Sequence, residues 1–511
     1  MKPPHRPRFA YVAILPLMLC AFITARPVLA AAGTRDLPNI VILYADDMGH
    51  GDLGVQNAGS KIPTPHLDQL ASEGIRFTDA HSSSGICSPS RYALLTGRFH
   101  WRKFHGIVNS FGPSVFDKNE FTLPGMLRTK GYTTACIGKW HLGWDWDAIK
   151  KPGAKAGKGG FAPNEFDWSK AIPGGPLAHG FDYYFGDDVP NFPPYAWFEN
   201  DRVITVPTEP LTITPKTAEG SWEARPGPMV KDWDFYNVMP TLTEKAVAWI
   251  GKQKGSAKPF FLYVPFTSPH APIVPTKEFT GKSKAGGYGD FVVQTDWTCG
   301  QILNAIDANG FRENTIVIFT ADNGPEKYAY DRLRTFEHRS SGELRGLKRD
   351  IYEGGHRVPM LVRWPGKVTP GLVSDGIFSQ VDFLATLAAI AGAELPAKGA
   401  DDSLNQLALW KGGNSARTAI VHNTKANHYA VRQGDWVLID AKTGSITAVP
   451  DWFDKANDYA DDRHPGGLYN LREDLAQRKN HYADQPKKVE EMQALLKDIR
   501  AKGQRANSAI Q

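Results

Sequence analysis

Four short and almost continuous apolar segments constrain the fold more than any other feature of this sequence. They span residues 39–44, 132–137, 259–264 and 315–320. Such segments are typical of strands buried on both faces of a parallel sheet. Segments with helical periodicity lie between them. This alternation predicts an α/β fold with a large mixed, mostly parallel sheet sandwiched by helices.

Polar side chains follow each predicted strand within a few residues. In chain order they are Asp46, Asp47, Lys139, His141, His270, Asp322 and Asn323. Any one of them alone is more often a loop residue that faces water. Because the carboxyl ends of parallel strands meet at one edge of a sheet, where ligands bind, the whole set predicts a single crevice.

The segment Cys87-Ser88-Pro89-Ser90-Arg91 is predicted to begin a helix, with Cys87 or Ser88 as its cap and Pro89 in the first turn. Backbone N–H groups and the helix dipole favour negative charge there, and Arg91 adds a positive charge. Such a position suits an activated nucleophile or a bound anion. The alternative is a small, buried and inert thiol.

The strand-end residues also suggest a metal site. Asp46, Asp47, Asp322 and Asn323 offer only oxygen ligands, and oxygens favour a hard cation over Zn²⁺. Ca²⁺ is preferred because it takes more oxygens at longer distances, and Mg²⁺ is the alternative. The competing interpretation is that both pairs only form turns.

Three cationic residues are expected to face the same crevice. Arg91, Lys139 and Lys348, together with a divalent cation, would clamp a tetrahedral oxyanion such as sulfate or phosphate. His141 and His270 could exchange protons near neutral pH. Taken singly, each lysine is more often a solvated surface residue and each histidine a structural one.

The motifs that carry these residues resemble those of one family. Cys87-Ser88-Pro89-Ser90-Arg91 followed by Leu95-Thr96-Gly97 is similar to the signature of the type I, formylglycine-dependent sulfatases of the alkaline phosphatase superfamily. Further blocks resemble the same family in the expected order; they are 131–141, 268–270, 320–324 and 345–348. The segments 338–342 and 352–355 resemble the arylsulfatase A and N-acetylgalactosamine-6-sulfatase branch.

The resemblance implies a role for each residue. A separate maturation enzyme would oxidise Cys87 to formylglycine, whose hydrate attacks sulfur beside Arg91 and the metal. Lys139 and Lys348 would hold the sulfate oxygens, with His270 as proton donor to the leaving alcohol and His141 as base. The metal ligands would be Asp46, Asp47, Asp322 and Asn323.

The substrate expected from these features is a sulfated carbohydrate, of polysaccharide or glycosaminoglycan type. Trp101, His105, Trp197 and His338 are candidates for sugar contact, although packing explains each of them equally well. Two other functions stay open. One is a phosphate or phosphonate ester hydrolase on the same scaffold, and the other is a non-catalytic binder of sulfated glycans.

The N-terminus has the pattern of a secretory signal peptide over residues 1–30, with an apolar run from 9 to 24. It predicts an exported protein, periplasmic or extracellular, with no membrane span after signal removal. Lipid anchoring at Cys20 is the weaker alternative, since its context matches a lipoprotein site poorly. Cleavage removes four basic residues and no acid, which lowers the net charge from +5 to about +1. Nothing in the charge pattern suggests a nucleic-acid partner.

The composition along the chain predicts two regions after the signal peptide. A catalytic α/β domain is expected over residues 31–400, with an aromatic-rich and irregular insertion over about 144–235. A smaller C-terminal subdomain is expected over 401–511. Its short predicted strands and a final amphipathic helix over about 487–502 indicate an antiparallel sheet packed by one helix.

Overall fold

The computed structural model describes residues 1, 4–5, 37–211, 217–220, 223–459 and 464–504. The predicted signal peptide therefore lies outside the described residues except at positions 1, 4 and 5, and Cys20 lies outside them too. Within the described part of the chain, no helix has the length and apolar character that a membrane crossing needs.

The strands fall into one large sheet, one four-stranded sheet and two short pairs. In chain order the strands are β1 (Asn39–Ala45), β2 (Ile75–Phe77), β3 (Ala80–His81), β4 (Thr133–Lys139), β5 (Tyr183–Asp188), β6 (Phe198–Glu199), β7 (Arg202–Val203), β8 (Glu209–Leu211), β9 (Gly227–Met229), β10 (Phe260–Pro265), β11 (Thr315–Ala321), β12 (Met360–Arg363), β13 (Leu372–Ser374), β14 (Phe378–Ser379), β15 (Ala419–Asn423), β16 (Tyr429–Gln433), β17 (Trp436–Asp440) and β18 (Gly467–Asn470).

The helices lie between these strands. They are α1 (Pro65–Ser72), α2 (Cys87–Thr96), α3 (Leu123–Thr129), α4 (Val238–Lys252), α5 (Gly286–Ala308), α6 (Tyr328–Phe336), α7 (Glu353–His356), α8 (Asp382–Ala391), α9 (Leu407–Trp410), α10 (Asp451–Asn457) and α11 (Pro486–Ala501).

The large sheet has ten strands in the order β13-β2-β12-β11-β1-β10-β4-β5-β6-β7. Its central part, β11-β1-β10-β4-β5, is parallel throughout, and β12 pairs with β11 in the antiparallel direction. Ile42 of β1 lies opposite Tyr263 of β10 on one side and Ile318 of β11 on the other. The four apolar segments thus form four adjacent parallel strands, as the sequence predicts, and their carboxyl ends share one edge.

Each face of the sheet is covered by its own set of helices. Alternate residues of β1 point to opposite faces, as a pleated strand requires. Ile40, Ile42 and Tyr44 belong to the core with α2, α3 and α8, while Val41 and Leu43 belong to the core with α1, α4 and α5. The helix-sandwiched sheet predicted from the sequence is therefore confirmed.

The C-terminal region contains a separate antiparallel sheet in the order β15-β16-β17-β18. One face of α11 packs on it through Val489, Met492, Leu496 and Ile499. These four residues recur every three or four positions, so one stripe of the helix is apolar. The small sheet packed by one helix is also confirmed.

The region between β4 and α4 is more ordered than the sequence indicates. It contributes β5 to the parallel part of the large sheet and β6 and β7 to its edge. Trp144 and Trp146 are buried there, and Trp144 stacks on Phe198 with ring centroids 5.4 Å apart. These tryptophans form part of the core and are not exposed platforms for sugar rings.

Candidate active site

Asp46, Asp47, Asp322 and Asn323 meet just beyond the ends of β1 and β11. The backbone N–H of Asp47 donates to Oδ1 of Asp322 at 3.1 Å, and Nδ2 of Asn323 donates to Oδ1 of Asp47 at 2.7 Å. All four side chains are buried. Asp47 has a φ of 62°, a left-handed conformation that is uncommon for a residue with a side chain and that turns the chain at the strand end.

This oxygen cluster has the chemistry of a cation site. The amide oxygen of Asn323 is buried and has no hydrogen-bond partner among the described residues. Burial and the neighbouring Asp46 carboxylate raise the pKa of Asp322 to about 6. Crowded buried carboxylates with an unpaired amide oxygen fit a hard divalent ion, which would satisfy both the charge and the lone pairs.

Each of the three carboxylates is paired with a buried cation. Lys139 Nζ lies 2.6 Å from Asp46 Oδ2, and Lys348 Nζ lies 2.7 Å from Asp47 Oδ2. Nε and Nη2 of Arg91 both donate to Asp322 Oδ2, at 3.1 and 2.8 Å. Removing one member of such a pair would leave an uncompensated buried charge, so the pairs depend on one another.

Glycine at position 138 allows Lys139 to reach this cluster. Gly138 has a φ of +133°, and a Cβ atom there would lie 2.0 Å from the carbonyl oxygen of Pro265. Only glycine fits so close to β10. The chain then continues into Lys139, whose carbonyl oxygen accepts a hydrogen bond from Nη1 of Arg91 at 3.1 Å.

Cys87 is the first residue of α2, and its Sγ lies 3.5 Å from Asp46 Oδ1. The predicted side-chain cap is wrong, because Ile86 precedes the helix and no side chain caps it. Of the two interpretations of the thiol, the structure favours the buried and inert one. Burial, and then the Asp322 carboxylate, raise the pKa of Cys87 well above its ordinary value, so the unmodified side chain stays a protonated thiol.

The two histidines lie on either side of this centre. His270 Nε2 is 3.7 Å from Asp47 Oδ2, and His141 Nε2 hydrogen-bonds the carbonyl oxygen of Val108 at 3.0 Å. Burial and the nearby Lys348 charge lower the pKa of His270 to about 4. Burial and Lys139 lower the pKa of His141 well below its usual value. Both rings are therefore neutral at pH 7 in the free protein.

We call the ten predicted residues the floor cluster. The structure brings all of them together; they are Asp46, Asp47, Cys87, Arg91, Lys139, His141, His270, Asp322, Asn323 and Lys348. A cavity of about 440 Å³ opens above them, and Cys87, His141, His270 and Lys348 line it. The cluster thus faces a space large enough for a sugar-sized ligand.

The other side of the cavity comes from parts of the chain that sequence reasoning missed. We call these residues the wall; they are Asn191, Phe192, Glu223, Arg225, Thr424 and Lys425. Arg225 lies over the ring of Phe192, with its guanidinium carbon 3.7 Å from the ring centroid. Asn191 and Phe192 follow β5, a strand that the sequence does not predict, and the other four lie in loops without a recognisable motif, so no local signal in the sequence marks them.

The four predicted sugar-contact residues are placed differently from the floor cluster. His105 precedes Gly106 and Ile107, which line the cavity, and its Nδ1 bonds Asn423 Oδ1 at 2.8 Å. None of the four candidates is itself among the residues that line the cavity. Trp101 stacks on Phe99, Trp197 stacks on Phe185, and His338 bonds Asp52 Oδ1 at 2.8 Å. Packing accounts for these three.

The fold and the floor cluster agree with what the chain resembles in known proteins. The family model described as Sulfatase matches residues 38–393, and a second one, described as N-sulphoglucosamine sulphohydrolase, C-terminal, matches residues 346–504. The chain belongs to the sulfatase family.

Individual relatives place the similarity within that family. The chain is 34% identical over 508 residues to an N-acetylgalactosamine-6-O-sulfatase of Bacteroides thetaiotaomicron, covering 91% of this chain and 93% of that one. It is 33% identical to arylsulfatase A of Bos taurus over 87% of this chain and 83% of that protein. A solved structure from work on glycosaminoglycan metabolism by Bacteroides thetaiotaomicron has 32% identity and a TM-score of 0.76, covering 91% of this chain and 100% of that one.

Proposed function

We propose that this sulfatase removes sulfate from a sulfated saccharide at the cavity above the floor cluster. The observation that carries the proposal is the convergence of Cys87, three buried cations and four oxygen ligands on one cavity. A tetrahedral anion needs such a concentration of positive charge, and a saccharide needs the space above it.

The metal in this proposal is Ca²⁺. Asp46, Asp47, Asp322 and Asn323 would hold it, since a set made only of oxygens suits Ca²⁺ or Mg²⁺ and the buried unpaired oxygen of Asn323 needs a partner. When bound, the ion would polarise the sulfate ester and favour an ionised hydroxyl beside it.

Position 87 would act after conversion to formylglycine by a separate maturation enzyme. The hydrate of that aldehyde would supply a hydroxyl nucleophile, which the thiol itself does not offer at neutral pH because its pKa is raised. The place of Cys87 at the first turn of α2, facing Asp46, supports this role.

The charged side chains would bind and orient the sulfate. Lys139 and Lys348 have three N–H donors each and can share them between a carboxylate and a sulfate oxygen. Arg91 keeps Asp322 in place through two hydrogen bonds. His270 would donate a proton to the leaving oxygen once the bound sulfate anion raises the pKa of the ring. His141 would then accept the proton of the second hydroxyl on residue 87, whose C–O bond to the transferred sulfate breaks to release sulfate and restore the aldehyde.

The wall would select the saccharide. Arg225 and Lys425 add positive charge to the cavity lining, which suits a chain carrying further carboxylate or sulfate groups. Glu223 offers an acceptor for sugar hydroxyls. Because the relatives described above include a sulfatase named for the 6-sulfate of N-acetylgalactosamine, that saccharide is the first substrate to test.

The proposal includes export to the periplasm or the extracellular space after removal of residues 1–30, where sulfated polysaccharides are found. It also keeps the predicted division into a catalytic domain over 31–400 and a C-terminal subdomain over 401–511.

The test uses protein produced together with a formylglycine-generating enzyme and a panel of defined sulfated saccharides. We expect release of inorganic sulfate, fastest from a 6-sulfated N-acetylgalactosamine unit, and no comparable release of phosphate from a phosphate monoester with the same leaving group. Faster phosphate release would favour the phosphohydrolase alternative. Binding of sulfated glycans without any turnover by fully converted protein would favour the non-catalytic binder.

A further inference from the structure

Three buried histidines meet outside the cavity lining. His81 ends β3, His356 ends α7 and His422 lies in β15, and none of the three is more than 1% exposed. One nitrogen from each ring can be chosen so that all three lie within 4.8 Å of one another. Nothing in the proposed sulfatase mechanism uses them.

Two of these rings turn lone pairs towards each other. His81 Nε2 lies 2.7 Å from Asp79 Oδ1, and His356 Nε2 lies 3.3 Å from the carbonyl oxygen of Ile351. Both oxygens only accept hydrogen bonds, and the Asp79 contact is much shorter than the 3.4 Å between Arg432 Nη1 and His81 Nε2, so each Nε2 carries a hydrogen. In the neutral rings, both Nδ1 atoms then carry lone pairs, and these atoms are only 3.1 Å apart. Two facing lone pairs in a buried space repel unless something positive lies between them.

The third ring has no hydrogen-bond partner at all among the described residues. Nδ1 and Nε2 of His422 are both buried and unpaired. Burial lowers the pKa of His422 well below its usual value and that of His356 to about 3, so both rings are neutral and available as ligands. A buried ring with two unsatisfied nitrogens carries a free-energy cost that a ligand would remove.

We propose that His81, His356 and His422 form a binding site for a divalent transition-metal ion, of which Zn²⁺ fits best. Two imidazole nitrogens bound to one tetrahedral zinc lie roughly 3.3 Å apart, close to the separation of the two Nδ1 atoms. The second-shell contacts also match, since metal-bound histidines usually donate their other N–H to a carboxylate or a backbone carbonyl. Asp79 and Ile351 supply these two acceptors.

Glu353 is the carboxylate available for a fourth position. One carboxylate oxygen of Glu353, one of Asp79 and one ring nitrogen of His81 all lie within 4.8 Å of one another. Arg357 and Arg432 contact the same two carboxylates, so Glu353 would have to loosen its ion pairs to bind the metal. The ring of His422 would also have to tilt, because it now stacks on His356 at 3.4 Å with an angle of 9° between the planes.

The alternative is a proton shared by His81 and His356, balanced by Asp79. A proton would relieve the repulsion between the two Nδ1 atoms. It would leave both nitrogens of His422 unpaired, whereas a metal ion would engage all three rings. Elemental analysis separates the two explanations.

The site would fix the chain that leads to Cys87. The backbone N–H of Ser82 donates to the carbonyl oxygen of His356 at 2.8 Å, and Ser84 Oγ donates to that of Asn423 at 2.7 Å. A metal held by β3, α7 and β15 would therefore join the segment before Cys87 to the C-terminal sheet, and its loss would lower the thermal stability of the protein.

The test measures metal content of the full chain by elemental mass spectrometry after incubation with ZnCl₂ and desalting. We expect about one zinc per chain in the wild type. The Cys87→Ala variant should keep it while losing sulfatase activity, so the result does not depend on the proposed function. Replacing zinc by Co²⁺ should give visible absorption bands of a nitrogen-ligated ion.

The matched variants are His422→Phe and His428→Gln. Phenylalanine keeps the ring that stacks on His356 but offers no nitrogen, so His422→Phe should lose the zinc and its Tm should no longer respond to a chelator. His428 is a second buried histidine beside the same sheet, bonded to the carbonyl oxygen of Thr443 at 2.8 Å, and His428→Gln should keep the zinc. Zinc-free wild type after incubation would overturn the proposal, as would zinc retained by His422→Phe. Should His422→Phe fail to fold, the zinc content of the wild type and the Co²⁺ spectrum decide whether the proposal holds.

Discussion

The floor cluster and the wall line the same cavity but are built in different ways. Most of the floor side chains follow directly from adjacent parallel strands, and three carboxylate–cation pairs hold them. The wall comes from the region after β5 and from the loop between β15 and β16. We propose from this comparison that the sheet edge determines the reaction and that the loops determine the saccharide.

The largest expected effect is at position 87. Cys87→Ala removes the proposed nucleophile, and sulfate release should fall by roughly a million-fold, as when subtilisin loses its covalent nucleophile. Initial rates on one sulfated saccharide measure it. Cys299→Ala, which changes a buried cysteine of α5, is the control and should keep its activity. A rate for Cys87→Ala within tenfold of the wild-type rate would show that the floor cluster does not carry the reaction.

The loss of a single floor cation should have the next largest effect on the chemistry. Lys348→Ala removes a donor to the sulfate and leaves Asp47 without its partner at 2.7 Å. We expect kcat/KM to fall about 10²–10³-fold for every sulfate ester, large or small. The exposed Lys327 provides the control, and Lys327→Ala should change little. A loss confined to saccharide substrates would assign Lys348 to the wall.

Asp187 at the end of β5 offers a test of stability at the same sheet edge. Its carboxylate is buried without a hydrogen-bond partner among the described residues, and burial raises its pKa to about 7. At pH values between its ordinary pKa of 3.8 and about 7, this carboxyl group is protonated in the folded state and ionised in the unfolded chain. The free energy of unfolding therefore decreases as the pH rises through that window.

Asp187→Asn should therefore raise the free energy of unfolding at pH 8 relative to the wild type, with a gain roughly 2–3 kcal/mol larger than at pH 5. Urea unfolding at the two pH values measures it, and Asp331→Asn on an exposed helix position is the control. An equal change at both values would contradict the raised pKa.

The smallest expected effect distinguishes the wall from the floor. Arg225→Ala and Lys425→Ala should each weaken the binding of an anionic saccharide by about 1 kcal/mol, which raises KM roughly fivefold. Neither variant should change turnover of 4-nitrophenyl sulfate, which is too small to need the wall. Equal losses of activity on both substrates would show that the wall does not act on saccharide binding alone.

The sequence predicts the floor far better than the wall for a physical reason. Buried parallel strands are recognisable as apolar runs such as Ile40–Leu43, and the residues after them must share one edge. Glu223 and Thr424 are about two hundred positions apart and line the same cavity only because the fold brings their loops to it. No local pattern encodes such a meeting.

Local patterns also failed where burial decided the outcome. The helix start at Cys87 suggested an activated thiol, but the deep position of this residue beside Asp322 raises its pKa instead. Trp197 in the irregular region suggested a sugar contact, but it stacks on Phe185 and does not line the cavity. In both cases the surroundings, which the sequence does not state, determine what the side chain can do.

The most direct test compares the mass of the peptide containing residue 87 with the rate of sulfate release across protein samples. Samples made with increasing amounts of maturation enzyme should contain a growing fraction of aldehyde at this position, and the rate on a sulfated saccharide should rise in proportion to that fraction. Full activity in samples whose residue 87 is entirely unmodified cysteine would contradict the account.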